Sequence, residues 1–106
     1  MCKNGEIWKV KLYPARGSEQ DGVRPCLIIS PDSMNKALQT VVVLPMTRSE
    51  KDWPSRVPIK LNQETGQACI EHIRSVSKER LIEKIGSANE MEMAKTYKHI
   101  HAMFCL

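Results

Sequence analysis

Hydrophobic and polar positions alternate with a period of two over Glu6–Tyr13, where Trp8, Val10 and Leu12 share one face and Lys9 and Lys11 the other. This pattern predicts a half-buried antiparallel strand, ended by Pro14. Cys26-Leu27-Ile28-Ile29 is instead continuously apolar, as expected of a short strand over residues 25–30 that is buried on both faces or lines a barrel interior. Thr40–Met46, rich in β-branched residues, carries the strongest strand pattern. Arg56–Leu61 alternates again with Val57, Ile59 and Leu61 inward, Asn62–Gly66 reads as a turn, and Gln67–Glu71 is a further strand that His72–Val76 continues after a bend. Between these lie a connection at Asp32–Leu38 with one helical turn and a long polar surface loop at Thr47–Ser55.

Two helices are expected at the end. Ser77 suits the N-cap of a helix over Lys78–Ile85, which Gly86 would stop. Ser87-Ala88-Asn89-Glu90 matches a capping box opening a second helix to about Met103. On it Met93, Tyr97, Ile100 and Phe104 form one apolar stripe, and the methionines read as core filling. Strands at hairpin spacing argue against a parallel, Rossmann-type sheet. The fold class expected is mainly β: a small, strongly bent barrel with helical additions, in a single domain spanning residues 1–106.

Composition changes this picture little. The chain has 106 residues, 42% hydrophobic and 26% charged, with a formal net charge of +4, compatible with a polyanionic partner. No run of about 18 apolar residues exists to span a membrane, and the start of the chain lacks the apolar stretch of a signal peptide, so a cytoplasmic location is the expectation. Cys2, Cys26, Cys69 and Cys105 form no C-x-x-C pair and no zinc-finger ladder. Cys26 and Cys69 fall in apolar strand-like runs and read as buried free thiols.

Chemistry gathers at strand ends. Gly17–Pro25 is a polar loop that delivers Arg24 to the mouth of an apolar strand. Arg24 is there either a phosphate or carboxylate grip or the partner of Glu19 or Asp21 in a surface salt bridge. Glu19/Asp21/Arg24, Thr47/Arg48/Ser49 and Glu71/His72/Arg74 all lie at strand ends, which converge on one rim in a small barrel. Together they hold what cleavage of an RNA phosphodiester by its own 2′-OH requires. A base and an acid each contribute roughly 10²–10⁴-fold, and cationic donors meet the charge that develops on phosphorus. His72 is either an acid/base group or a polar residue beside a turn. Glu71 would orient Arg74 or Arg24 rather than carry protons. Arg48, Lys51 and Arg56 read as a solvated basic edge, Trp53 as a base-stacking platform or a loop clamp, and His99 and His101 as surface residues on different helix faces.

Gly5-Glu6-Ile7-Trp8, Gly17-Ser18-Glu19-Gln20 with Gly22 and Arg24-Pro25, Asn35, Val41–Pro45 with Thr47, Glu71–Val76 and Arg80-Leu81 together resemble the MazF/PemK toxin family over nearly the whole chain. The resemblance implies an SH3-like barrel that forms homodimers. It also implies a metal-independent endoribonuclease without a cofactor, cutting single-stranded mRNA to leave 2′,3′-cyclic phosphate and 5′-hydroxyl ends and inhibited by a cognate antitoxin. Carried over by position, Arg24 and Thr47 are the catalytic pair, with Glu19 and His72 as further catalytic candidates. Ser18, Gln20, Arg48, Ser49, Glu71 and Arg74 are the RNA-binding candidates. Ser18 stands where part of the family has a catalytic histidine, Cys69 where that branch has an arginine, and His72 where many members have glutamine. A related reading on the same barrel is a CcdB-like toxin that poisons gyrase by binding, without catalysis.

Overall fold

The computed structural model describes residues 2–12 and 22–105. Ser18, Glu19 and Gln20, and any salt bridge from Arg24 to Glu19 or Asp21, lie outside the described residues. Among the described residues the strands and α-helices follow in the order β1 (Glu6–Lys11), β2 (Val23–Ile28), α1 (Asp32–Ala37), β3 (Thr40–Thr47), β4 (Arg56–Leu61), β5 (Glu64–Cys69), β6 (Arg74–Ser77), β7 (Leu81–Ser87) and α2 (Glu90–Phe104). Short 3₁₀ turns at Ile70–His72 and Lys78–Arg80 join β5 to β6 and β6 to β7.

The strands form one antiparallel sheet in the order β4-β5-β3-β2-β1-β7, curled into a half-barrel, with β6 also paired to β3. β3 is its spine. β5 pairs with Met46 and Thr47 and β6 with Thr40–Val43, so the segment from β5 to β6 follows β3 with a 3₁₀ turn as its bend. This is the bent continuation expected at His72–Val76. Central strands are buried on both faces. Leu44 and Met46 of β3, Leu27 of β2 and Ile7 of β1 enter one core; Val41, Val43, Cys26, Ile28 and Val10 enter the other. The alternation in β1 therefore holds, with the addition that Ile7, opposite to Trp8 and Val10, is fully buried too.

α2 lies over the first core through Met93 and Ile100. Its buried face is rotated from the expected stripe: Thr96 is fully buried, Tyr97 is half-exposed with its hydroxyl donating to the Ile29 carbonyl at 2.7 Å, and Phe104 is exposed. Met46 is buried and Met93 packs on the core, whereas Met91 stands in solvent, so core filling describes only some of the methionines. The capping box is real but begins at Asn89, whose side chain accepts from the Glu92 N–H at 2.8 Å while Glu92 accepts from the Asn89 N–H at 2.9 Å. The other Glu92 oxygen accepts from the Lys60 N–H of β4 at 2.7 Å. At the opposite edge of the sheet Gly86 of β7 makes room for Leu61, whose Cδ1 sits 2.5 Å from where a β-carbon on Gly86 would be.

Two expectations are corrected. Lys78–Ile85 is not a helix: a 3₁₀ turn, capped by Ser77 accepting from the Glu79 N–H at 3.3 Å, leads into β7. Pairing with β1, from Val10 opposite Leu81 to Glu6 opposite Ser87, overrides the helical signal. The turn after β4 is also shorter than expected. Asn62 and Gln63 both have positive φ (50° and 69°), a two-residue hairpin turn of the type whose twist suits adjoining strands. Glu64, Thr65 and Gly66 consequently stand on β5, on the lining of a surface groove.

Candidate active site

Two prolines open the groove. The β2–β3 ladder runs from Ile28 opposite Val43 to Cys26 opposite Pro45 and stops. Neither Pro25 nor Pro45 has an N–H to extend it. Counted onward, the same register sets Arg24 opposite Thr47, but the two do not pair, and Met46 and Thr47 keep only their partners Ala68 and Gln67 of β5 on the other edge of β3. The strands part, and Arg24 and Thr47 face the gap. Both line a pocket of about 540 Å³ with Arg48, Ser49, Leu61 and Glu64, and a second of about 320 Å³ with Arg56, Cys69, His72 and Arg74.

Local hydrogen bonds fix the Thr47 hydroxyl. Its oxygen accepts from the Ser49 N–H at 3.1 Å, which leaves the hydroxyl proton directed elsewhere for donation. The loop after it is tied down by Gln67, which donates to the Lys51 carbonyl at 3.0 Å and accepts from the Lys51 N–H at 3.1 Å. Gly66 stands against Thr47: a β-carbon there would lie 3.1 Å from the Thr47 carbonyl oxygen. Because backbone must then move, Gly66→Ala is expected to displace Thr47, costing about 1–3 kcal/mol of stability. The displacement should also lower the maximal rate of RNA cleavage. Chemical denaturation and initial rates on the variant check both effects.

The structure revises the basic edge. Arg56 is not a solvated residue: its side chain is 9% exposed, its Nε donates to Glu71 Oε2 at 2.7 Å, and its guanidinium lies 4.5 Å from the Trp53 ring centre. Glu71 therefore pairs with Arg56, not with Arg74 or Arg24. Trp53 both clamps this arginine and stays half-exposed. His72 is largely exposed, with Nε2 3.8 Å from Glu71 Oε2. Sequence reasoning missed this unit because Arg56 occupies the polar phase of β4; the aromatic-Pro-x-Arg spacing of Trp53 and Arg56 was the available signal. Arg48 is exposed and ion-paired to Glu64 at 3.5 Å. His99 is partly covered and His101 is exposed.

Electrostatics favour anions. The second pocket has three guanidinium groups and one imidazole on its lining, a surface suited to a phosphate backbone. Burial pushes the Glu71 carboxyl up, but hydrogen bonds from Arg56, its own backbone and Ser55, with the Arg56 charge, outweigh it and hold the group below its ordinary value. A depressed carboxyl stabilises the fold above the unfolded-state value of about 4.3, and that contribution is lost as pH falls through the lower folded value. Glu71→Gln is accordingly expected to flatten the stability–pH profile below about pH 4.3, measured as thermal midpoints across an acid series. Burial also raises the Cys69 thiol, against the charges of Arg56 and Arg24, and pushes Cys26 up to about 12. Neither thiol is an ionised nucleophile at neutral pH. Among the described residues no cluster of three or more His, Cys, Asp or Glu is placed to hold a metal ion.

Comparison with known proteins identifies relatives of the whole chain. "Endoribonuclease MazF9" of Mycobacterium tuberculosis is 35% identical over 105 residues, covering 90% of this chain and 89% of its own. "Endoribonuclease MazF" of Staphylococcus epidermidis is 36% identical over 100 residues, covering 88% and 82%. A solved mycobacterial endoribonuclease in complex with its cognate antitoxin superposes with a TM-score of 0.82 at 19% identity, over 96% of this chain and 93% of that one, which shows a common fold. A family model for the PemK-like, MazF-like toxin of type II toxin–antitoxin systems matches residues 3–104, and the chain belongs to that family.

Proposed function

We propose that this toxin is an endoribonuclease that cleaves single-stranded mRNA without a metal ion, through attack of the 2′-OH on the adjoining phosphorus. The observation that carries the reading is that Arg24 and Thr47, brought to one gap by strand divergence, line both pockets. The scissile phosphate sits between those two side chains. Arg24 donates to the non-bridging oxygens and takes up the charge that grows on them, and the Thr47 hydroxyl adds a neutral donor. The O2′–P bond forms as the P–O5′ bond breaks; one proton leaves the 2′-OH and one reaches O5′. The products are a 2′,3′-cyclic phosphate and a 5′-hydroxyl.

His72, on the lining of the second pocket, is the titratable group for one of these transfers, and Glu19 is the loop acid proposed for the other. Arg74 and Arg48 hold flanking phosphates, with Ser49, Ser18 and Gln20 as neutral contacts. Glu71 acts through Arg56. The protein works as a cytoplasmic homodimer, and a cognate antitoxin with an acidic toxin-binding tail occupies the basic groove; the mycobacterial neighbour solved with its antitoxin supports such a partner. No helix among the described residues is long and apolar enough to cross a membrane.

The test is incubation of purified protein with a long RNA in EDTA, followed by mapping of fragment ends. Discrete cuts carrying 5′-hydroxyl groups are expected. Intact RNA, or cleavage that requires added Mg²⁺, would overturn the reading; intact RNA with inhibited gyrase would replace it by the non-catalytic toxin.

A further inference from the structure

The larger pocket carries more than the scissile phosphate needs. Beside Arg24 and Thr47 its lining includes Val23, Pro25, Met46 and Leu61, an apolar surface against which a planar ring can lie. Its volume of about 540 Å³ accommodates a nucleobase with its sugar. It also includes Glu64. A carboxylate beside a polyanion repels it, so gripping the RNA backbone gives no reason for one here. The hairpin turn at Asn62–Gln63 fixes where that carboxylate stands, at the first residue of β5. Its partner holds it only loosely: Arg48 lies 3.5 Å away, and the two side chains are 90% and 67% exposed. An exposed pair of this kind contributes little and is readily exchanged for another contact.

On this basis we infer that the larger pocket is a nucleobase subsite next to the scissile phosphate, and that Glu64 reads an amino-bearing base in it. The inference rests on the endoribonuclease reading. An ionised carboxylate only accepts hydrogen bonds. Adenine and cytosine offer it an exocyclic amino group, and guanine offers adjacent N1–H and N2–H donors. Uracil offers a single N3–H between two carbonyl oxygens, which repel a carboxylate. Apolar walls hold the faces of the ring, and the edge decides which base is accepted. Because Arg24 and Thr47 line the same pocket, the base belongs to a nucleotide adjoining the phosphate they hold.

The experiment is digestion of a randomised single-stranded RNA pool by the wild-type protein, Glu64→Ala, Glu64→Lys and Arg48→Gln, with base frequencies counted at each position around the cut. At one position flanking the cut the wild type is expected to show uracil depleted by roughly tenfold or more, the ratio that one base-reading contact supports. Glu64→Ala should abolish that depletion at that position alone, and Glu64→Lys should reverse it. Arg48→Gln breaks the same ion pair but leaves the carboxylate, so its uracil depletion should persist; loss in Arg48→Gln equal to that in Glu64→Ala would reduce Glu64 to a structural partner. Unchanged depletion in Glu64→Ala, or none in the wild type, overturns the inference while leaving the nuclease standing. No cleavage by the wild type overturns the nuclease reading itself.

Discussion

Arg24→Ala is expected to lower the rate of RNA cleavage by about 10³-fold or more, the scale on which a charge-stabilising donor contributes to a phosphoryl transition state. Its side chain stands at the point where β2 leaves β3, exposed on the rim of both pockets. An exposed position of this kind costs within about 0.5 kcal/mol when replaced, so the thermal midpoint should barely move. Loss of rate with retained stability separates a catalytic group from a structural one. Arg24→Lys should fall between, because an ammonium keeps the charge but not the planar fork that meets two phosphate oxygens together. Initial rates on a cleaved oligonucleotide with matched melting curves make the comparison, and near wild-type rates in Arg24→Ala would remove this residue from the mechanism.

Asn35→Ala carries the largest expected effect on stability. Asn35 is only 1% exposed, on a short helix whose neighbours face solvent. Its Oδ1 accepts from the Ser30 hydroxyl at 2.6 Å and its Nδ2 donates to the Ser30 carbonyl at 3.0 Å. The same Ser30 hydroxyl accepts from the Val42 N–H at 3.0 Å, and the Asn35 carbonyl accepts from the Lys78 ammonium. The side-chain amide thus ties α1 to Ser30 beyond β2 and, through the Ser30 hydroxyl, to β3, while the Asn35 backbone carbonyl holds the β6–β7 turn. Truncation leaves the Ser30 hydroxyl proton without its acceptor and the Ser30 carbonyl with only the Asn4 amide at 3.2 Å, in a place water does not reach, at a cost of about 2–3 kcal/mol. For a domain of this size that lowers the melting temperature by roughly 10–20 °C. A melting curve within a few degrees of wild type would show that the network repacks.

Local pattern made much of the fold legible. β1, β2, β3 and β4 each carry their own period or apolar run, and each is a strand. What pattern does not carry is partner choice across long separations. Leu81, Ile82 and Ile85 fit a helical face as well as a strand, and only pairing with β1, far earlier in the chain, settles the matter. That pairing also takes Ser87 into the sheet opposite Glu6, so the capping box falls to Asn89 and Glu92. At the site the contrast is similar. Local pattern puts Arg24 and Thr47 at strand ends, and both line one gap, while their catalytic roles come from the family resemblance alone. The Arg56–Glu71 pair required the register that sets Arg56 opposite Cys69, followed by a 3₁₀ turn that swings Glu71 back over it. Neither step is written in a local period.

Glu92 has a consequence for the order in which the fold is completed. One of its oxygens closes the start of α2 and the other takes the Lys60 N–H on the outer edge of β4. Until α2 exists, that edge is an open template for a foreign strand and the first core lacks Met93 and Ile100. β1 likewise waits for β7. Synthesis runs from β1 toward α2, so β2, β3 and β5 emerge before β7 and α2 complete the fold. Contacts this distant in sequence form slowly. The strands that carry Arg24 and Thr47 are thus made first, and the pieces that seal the edge of β4 and cover the first core are made last.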